Sequence, residues 1–178
     1  MDIKILNPIE YPNWDELLRS HPEATFFHTA AWARVLSETY RYRPLYYTII
    51  EDGQLAGLIP VMEIKSVLTG KRGVSLPFTD ECQPLTRDDR QFENLFKSVL
   101  YYGKKAGWRH VEIRGGRQNL SDQPFNGCYY SHVLNLEPDI DSIFFSFIGN
   151  VRRNIKKARK KNVQVAISNT WESLLAFC

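Results

Sequence analysis

Apolar and polar residues alternate, then recur every three to four positions, then alternate again along this chain, and each change of period marks an element. "KILN" at 4–7 reads as a short opening strand. "NWDELLRSHP" follows as a helix: Asn13 stands where an N-cap belongs, Glu16 lies three residues on, and Trp14, Leu17 and Leu18 share a face. A second helix is predicted in "HTAAWARVLSETY", with Thr29 as its cap, Trp32, Val35 and Leu36 as its apolar stripe, and Pro44 marking its end. "PLYYTIIE" and "QLAGLIPVMEIK" then read as strands, and Asp52-Gly53 between them signals a hairpin, because both turn positions need positive φ. "GVSLPF" predicts a third strand after a turn at "LTGK".

The clearest periodicity covers a helix over 88–106. Thr86 is its expected cap with Asp89 three residues on; Phe92, Leu95, Phe96, Val99 and Leu100 form a broad core face, and Gly107 stops it. "WRHVEIR" reads as a strand, and a polar loop separates it from another, "YYSHVLNL". A short helix near 139–147, a basic helix, a strand "VQVAIS" and a last helix opening at Thr170 complete the series. Mixed strands with few helices predict an α+β fold, a sheet flanked by helices on both sides. In the last helix Trp171, Leu174 and Leu175 share one side, and no helix-breaking residue follows. So short a helix is marginal without a partner surface, so the expectation is a chain that continues into a further portion; a short terminal helix docked on this domain is the alternative.

At 178 residues, with 43% hydrophobic and 13% aromatic residues, the composition is that of a globular domain with a good core. No apolar run is long enough to cross a membrane, and the first residues carry charges at Asp2, Lys4 and Glu10, unlike a secretion signal. Cys82, Cys128 and Cys178 are far apart, make no metal-ligand spacing and fit a reducing cytoplasm; no metal site is expected.

Charge changes this picture in one place. "GNVRRNIKKARKK" at 149–161 holds seven of the chain's 23 basic residues and no acidic one, which leaves 16 basic residues against 20 acidic elsewhere. With Asn150 as a cap, Val151, Ile155 and Ala158 fall on one face, and Arg152, Arg153, Lys156, Lys157, Arg159, Lys160 and Lys161 cover the rest. Such a run is often only a solvated face. Here no carboxylate is interleaved to offset the repulsion, and Arg152 and Arg153 are expected in the first turn, where cations oppose the helix dipole. These features point to an anion site formed by Arg152, Arg153, Lys156, Lys157, Arg159 and Lys160, for phosphates of RNA, a nucleotide-linked precursor or a cofactor.

Elsewhere, "WRHVEIRGG" places His110, Glu112 and Arg114 on one strand face and Val111 and Ile113 on the other. The trio has the groups for acid–base work or for clamping a carboxylate, although such a face is commonly just solvated. Arg114 stands out as a candidate substrate contact because Gly115-Gly116 would let a ligand approach the backbone. His132, in phase with Tyr130, Leu134 and Leu136, reads as a core histidine, and His28, beside Phe26 and Phe27, as structural. Ser75 lacks a nucleophile-elbow pattern, and no phosphate-binding Gly motif is present. No catalytic residue is assigned.

Taken in order, "ATFFHTAAWARVL", "GLIPVMEIKS", "GVSLPF", "GWRHVEIRGG", "SHVLNL" and "VRRNIKKARKKNVQV" resemble the N-terminal half of Fem-type acyltransferases. These are methicillin-resistance-factor relatives within the GNAT superfamily. The resemblance covers residues 10–178 and implies a GNAT-like sheet, mixed and mostly antiparallel, with residues 1–148 as a first subdomain and 149–178 opening a second whose remainder would be a partner. Members transfer an amino acid from aminoacyl-tRNA to a peptidoglycan precursor, or act as acyl-CoA-dependent N-acyltransferases. No cofactor is expected to bind this chain alone, which would then be inactive by itself; acyl-CoA or aminoacyl-tRNA is the implied donor for a longer protein. The competing reading is a non-catalytic RNA- or anion-binding module. Two departures stand out. The GNAT cofactor loop Q/R-x-x-G-x-G/A is absent. Cell-wall members read W-A-x-V-K with a phosphate-contacting lysine, whereas Trp32, Ala33 and Val35 are followed here by Leu36.

Overall fold

A computed structural model describes residues 2–79, 81–115, 127, 130, 134, 136 and 139–177. Residues 1–124 form one compact unit and 125–178 a second, a division that falls ahead of the 148/149 boundary set from the sequence. In the first unit, strands β1 (Ile3–Leu6), β2 (Arg43–Glu51), β3 (Gln54–Ser66), β4 (Gly70–Val74) and β5 (Trp108–Glu112) lie side by side in chain order. The first four pair antiparallel, and β4 and β5 are parallel. Parallel neighbours need a crossover, which α3 (Asp89–Ala106) supplies.

The long strands β2 and β3 are buried on both faces and divide the core in two. Tyr46, Leu58 and Met62 pack under α1 (Trp14–Arg19) and α2 (Ala30–Tyr40), through Trp14, Leu18, Ala33 and Leu36. On the other face Leu45, Tyr47, Ile59 and Val61 meet Phe92, Leu95 and Val99 of α3. Phe96 joins by stacking on Phe92, with centroids 5.6 Å apart.

Several local expectations are met. Asp52 and Gly53 take φ 50° and 75°, the hairpin turn their types favour. Thr29 caps α2 by accepting from the Trp32 N–H at 3.2 Å, and Gly107 at φ 74° ends α3. Others need correction. Asn13 precedes α1 in the left-handed region and makes no side-chain cap bond. Val35 is exposed; Leu36 is buried and Trp32 packs against the core as expected, and Ala33 completes the buried face of α2. Arg41, not Pro44, ends α2; Pro44 lies within β2, just past the stretch that β1 covers, so its missing N–H costs no ladder bond there. Strand β4 spans Gly70–Val74 rather than "GVSLPF", because Leu76 and Phe78 turn to positive φ. Asp88, not Thr86, caps α3, and Leu100 is exposed.

In β5 the alternation slips. Lys71 pairs with Trp108 while Gly73 pairs with Val111, so β5 carries one extra residue in that stretch. The bulge lets both Trp108 and Val111 pack on the α3 side, and His110 stays exposed. In the second unit, α4 (Ile140–Ser146), α5 (Gly149–Lys160) and α6 (Trp171–Phe177) are described. "VQVAIS" forms no strand among the described residues: 163–168 is irregular and exposed. The strand expected at 129–136 lies mostly outside the described residues, as do His132 and Cys128. Trp171, Leu174 and Leu175 are exposed. Among the described residues no helix is long and apolar enough to cross a membrane.

Candidate functional site

Past Val74 the chain leaves the sheet and continues, through the described residues of 75–88, to α3. Its path is fixed at several points. Ser75 N–H donates to the Glu112 carbonyl at 2.8 Å, Cys82 N–H to the Arg114 carbonyl at 3.1 Å, and Leu85 exchanges backbone bonds with Leu58 at 2.9 and 2.7 Å. Arg114 belongs to this framework. Its Nε donates to Glu112 Oε1 at 2.8 Å and its Nη1 to the Thr79 carbonyl at 2.8 Å. The guanidinium proposed from sequence as a ligand contact is thus engaged by the protein's own loop, and the paired glycine acts similarly. A Cβ on Gly115, at φ 92°, would lie 3.0 Å from the Gln83 side chain, so close packing by Gln83 accounts for the glycine.

His28 ties the start of α2 to the same loop. Thr25 N–H and Oγ1 lie 3.1 and 2.9 Å from His28 Nδ1, and Nε2 lies 2.9 Å from the Gln83 carbonyl. A backbone N–H only donates and a carbonyl only accepts, so Nδ1 is the bare nitrogen and Nε2 carries the proton. Burial holds the imidazole pKa below its ordinary 6.5, against the opposing pull of the bonds to Gln83 and Thr25. Cys82 Sγ lies 3.5 Å from His28 Nε2. Its thiol is pushed up to about 12 by burial, so it is an inert packing group rather than a nucleophile. The structural reading of His28 from sequence agrees with this placement. Ser75 is fully buried, and its Oγ has no hydrogen-bond partner among the described residues. Leu36, at the position of the lysine in W-A-x-V-K, is buried in the core beneath α2 and presents nothing to solvent.

A GNAT cofactor loop would sit at the strand-to-helix junction before α3 and present N–H groups to phosphate. That junction is already occupied by carboxylates. Asp88 Oδ1 accepts from Gln91 N–H at 2.7 Å, Asp89 follows in the first turn, and Gln91 Oε1 takes the Arg87 N–H at 2.8 Å. Two carboxylates, Asp88 and Asp89, and two cations, Arg87 and Arg90, thus stand at this junction, with the Gln91 and Arg87 N–H groups taken by side chains.

The basic helix α5 forms in the second unit, one turn after α4. It starts at Gly149 with Ile148 as N-cap, so Asn150 is not the cap. Arg152 and Arg153 therefore stand at the fourth and fifth helical positions, where the dipole penalty inferred from sequence is weak. Arg153 Nη2 donates to Asn150 Oδ1, and the Arg159 guanidinium lies over the Phe144 ring, 5.9 Å from its centroid. Lys156, Lys157, Lys160 and Lys161 are exposed. Among the described residues none of these cations forms an ion pair. Lys157, Arg159 and Lys160 fall in the last turn, where a positive charge is favourable by itself.

No protein-family model matches the chain, and no curated protein does. Among solved structures it is similar to FemX, with a TM-score of 0.65 and 18% identity over 99% of this chain and 48% of that one. It also matches the ribosomal-protein-alanine N-acetyltransferase from Brucella melitensis biovar Abortus 2308, with a TM-score of 0.48 and 16% identity over 76% of this chain and 100% of that one. The glucosamine-6-phosphate N-acetyltransferase from Arabidopsis thaliana matches with a TM-score of 0.46 and 16% identity, again over 76% and 100%. The chain therefore shares the fold of FemX, here a mixed, mostly antiparallel sheet flanked by helices, and spans about half of that protein's length.

Proposed function

We propose that the chain is the N-terminal, GNAT-like part of a Fem-type N-acyltransferase or aminoacyltransferase of the cytoplasm that modifies a cell-envelope precursor. In this reading 149–178 opens its second subdomain, and α5 takes the phosphates of its ligand. The observation that carries the proposal is the likeness to FemX along 99% of the chain. The reaction is attack by a substrate amine on an activated acyl carbonyl. The new N–C bond forms as the bond from carbonyl carbon to the donor's ester oxygen or thioester sulfur breaks, and the amine proton is released. Such chemistry rests mainly on orientation and on N–H groups around the developing oxyanion, so it requires no side-chain triad in this chain. In this reading the donor is aminoacyl-tRNA or an acyl-CoA, and α5 would meet ligand phosphates through Arg152, Arg153, Lys156, Lys157, Arg159 and Lys160.

The test is transfer of label from aminoacyl-tRNA, and separately from acyl-CoA, to a nucleotide-linked cell-wall precursor by the protein as it occurs. Label in the precursor from either donor supports the proposal. No transfer from either, with the protein folded, overturns it. The second reading, a non-catalytic RNA-binding module, is favoured by the carboxylate-free charge of α5 and predicts tRNA binding without transfer.

A further inference from the structure

Where β1 ends and β2 begins, an open groove of about 700 Å³ runs past the C-terminal end of α2. That size is in the range of small-molecule sites. Leu6 and Leu45 line it together with Arg41 and Arg43. Neither arginine has a carboxylate within 4.0 Å among the described residues. Arg43 is steadied by a neutral partner: its Nη1 lies 3.4 Å from the Tyr102 hydroxyl, which lines the same groove. Tyr42, between the two arginines, is held by stacking on Tyr40, with centroids 5.4 Å apart and planes 21° from parallel.

Arg41 occupies a costly position. It ends α2 at φ 60°, ψ 28°, the left-handed conformation for which helices commonly use glycine. A basic side chain is favourable at a helix C-terminus, but α2 would meet that need equally with a cation one turn earlier, in unstrained backbone. From the groove, the two guanidinium groups without carboxylates and the strained backbone that presents one of them, we propose that this is a binding site for a small ligand bearing a phosphate or carboxylate group. The guanidinium forks take the anionic group. Glu10, also lining the groove and in no ion pair with either arginine among the described residues, accepts from an amine or hydroxyl of the same ligand.

The full chain is titrated with inorganic phosphate and, separately, with citrate, while the backbone amide signals of Arg41, Arg43 and Tyr102 are followed by NMR. Saturable shifts at these amides are expected, and the anion that produces them identifies the group. Arg41→Gly should weaken binding about tenfold, as loss of one charge-assisted contact does, while raising the melting temperature, since glycine fits the left-handed position. Arg43→Gln should weaken binding similarly. Lys156→Gln with Lys157→Gln should leave the groove's affinity unchanged, which separates this site from α5 and its fate from that of the proposed function. The proposal is overturned if neither anion gives saturable shifts at these amides, or if Arg41→Gly and Arg43→Gln bind as the unaltered protein does.

Discussion

Trp108 is wedged between two backbones that carry no side chain. A Cβ on Gly73 of β4 would fall 2.2 Å from its Cζ3, and one on Gly103 of α3 would fall 2.7 Å from its Cε3. The indole N–H meanwhile donates to Glu63 Oε2 at 2.8 Å, on a residue that is itself buried. Gly73→Ala must push the ring aside. Overpacking of this kind costs about 1–3 kcal/mol, and losing a hydrogen bond to a charged group adds about 1.5–3 kcal/mol. A net loss of about 2.5–6 kcal/mol is expected, a large fraction of the roughly 5–15 kcal/mol that holds a domain together. Gly103→Ala meets a smaller clash and regains about 1 kcal/mol of helix propensity, so it should cost clearly less. Urea unfolding measures both as a shift of midpoint at constant slope. Adding Trp108→Ala should remove most of the Gly73→Ala penalty, because the two sites act through one contact. Gly73→Ala within about 0.5 kcal/mol of the unaltered protein, the ordinary range for an inconsequential substitution, would refute the packing argument.

Three further outcomes follow from the same framework of bonds. His28 has its pKa lowered in the folded state, so the unfolded chain binds the extra proton first; the stability this confers is complete above pH 6.5 and is lost as pH falls below 6.5 towards the folded-state value. Melting temperatures across that window should fall for the unaltered protein and fall less for His28→Gln. Asp88→Ala removes the cap of α3 and should cost about 1 kcal/mol in denaturant unfolding; an unchanged midpoint would contradict the assigned cap. Arg114→Met releases Thr79 from the end of β5, and amide exchange at Ser75 and Cys82 should quicken while exchange in β2 and β3 stays slow.

Much of the fold was legible because short-range chemistry decides it. Asp52-Gly53 can take two positive φ values, Thr29 can cap, Gly107 can turn left-handed, and Phe92, Leu95 and Val99 can face only one way from a helix. The misreadings arose where a long-range contact overrides the local pattern. The strict alternation in "WRHVEIR" gives no hint of a bulge, which appears only because Trp108 fits between two glycines on neighbouring elements. "VQVAIS" alternates well, but no strand pairs with it among the described residues. The bond from Arg114 to the Thr79 carbonyl, 35 residues away, likewise has no local signature. The groove arginines carried a signal that could have been read: in "RYR", directly after a helix, two cations flank a tyrosine with no acid adjacent.

The proposed role of α5 is to take the phosphates of a ligand. It is tested most directly by equilibrium binding of tRNA to the protein at several salt concentrations, repeated with Arg152→Gln, Arg153→Gln, Lys156→Gln and Lys157→Gln combined. The account predicts an affinity that falls steeply with salt, and a variant that binds weakly with its log–log slope reduced by roughly 0.7–0.9 for each phosphate that is no longer neutralised. Unchanged affinity and slope in the fourfold variant would contradict it and leave α5 as a solvated face.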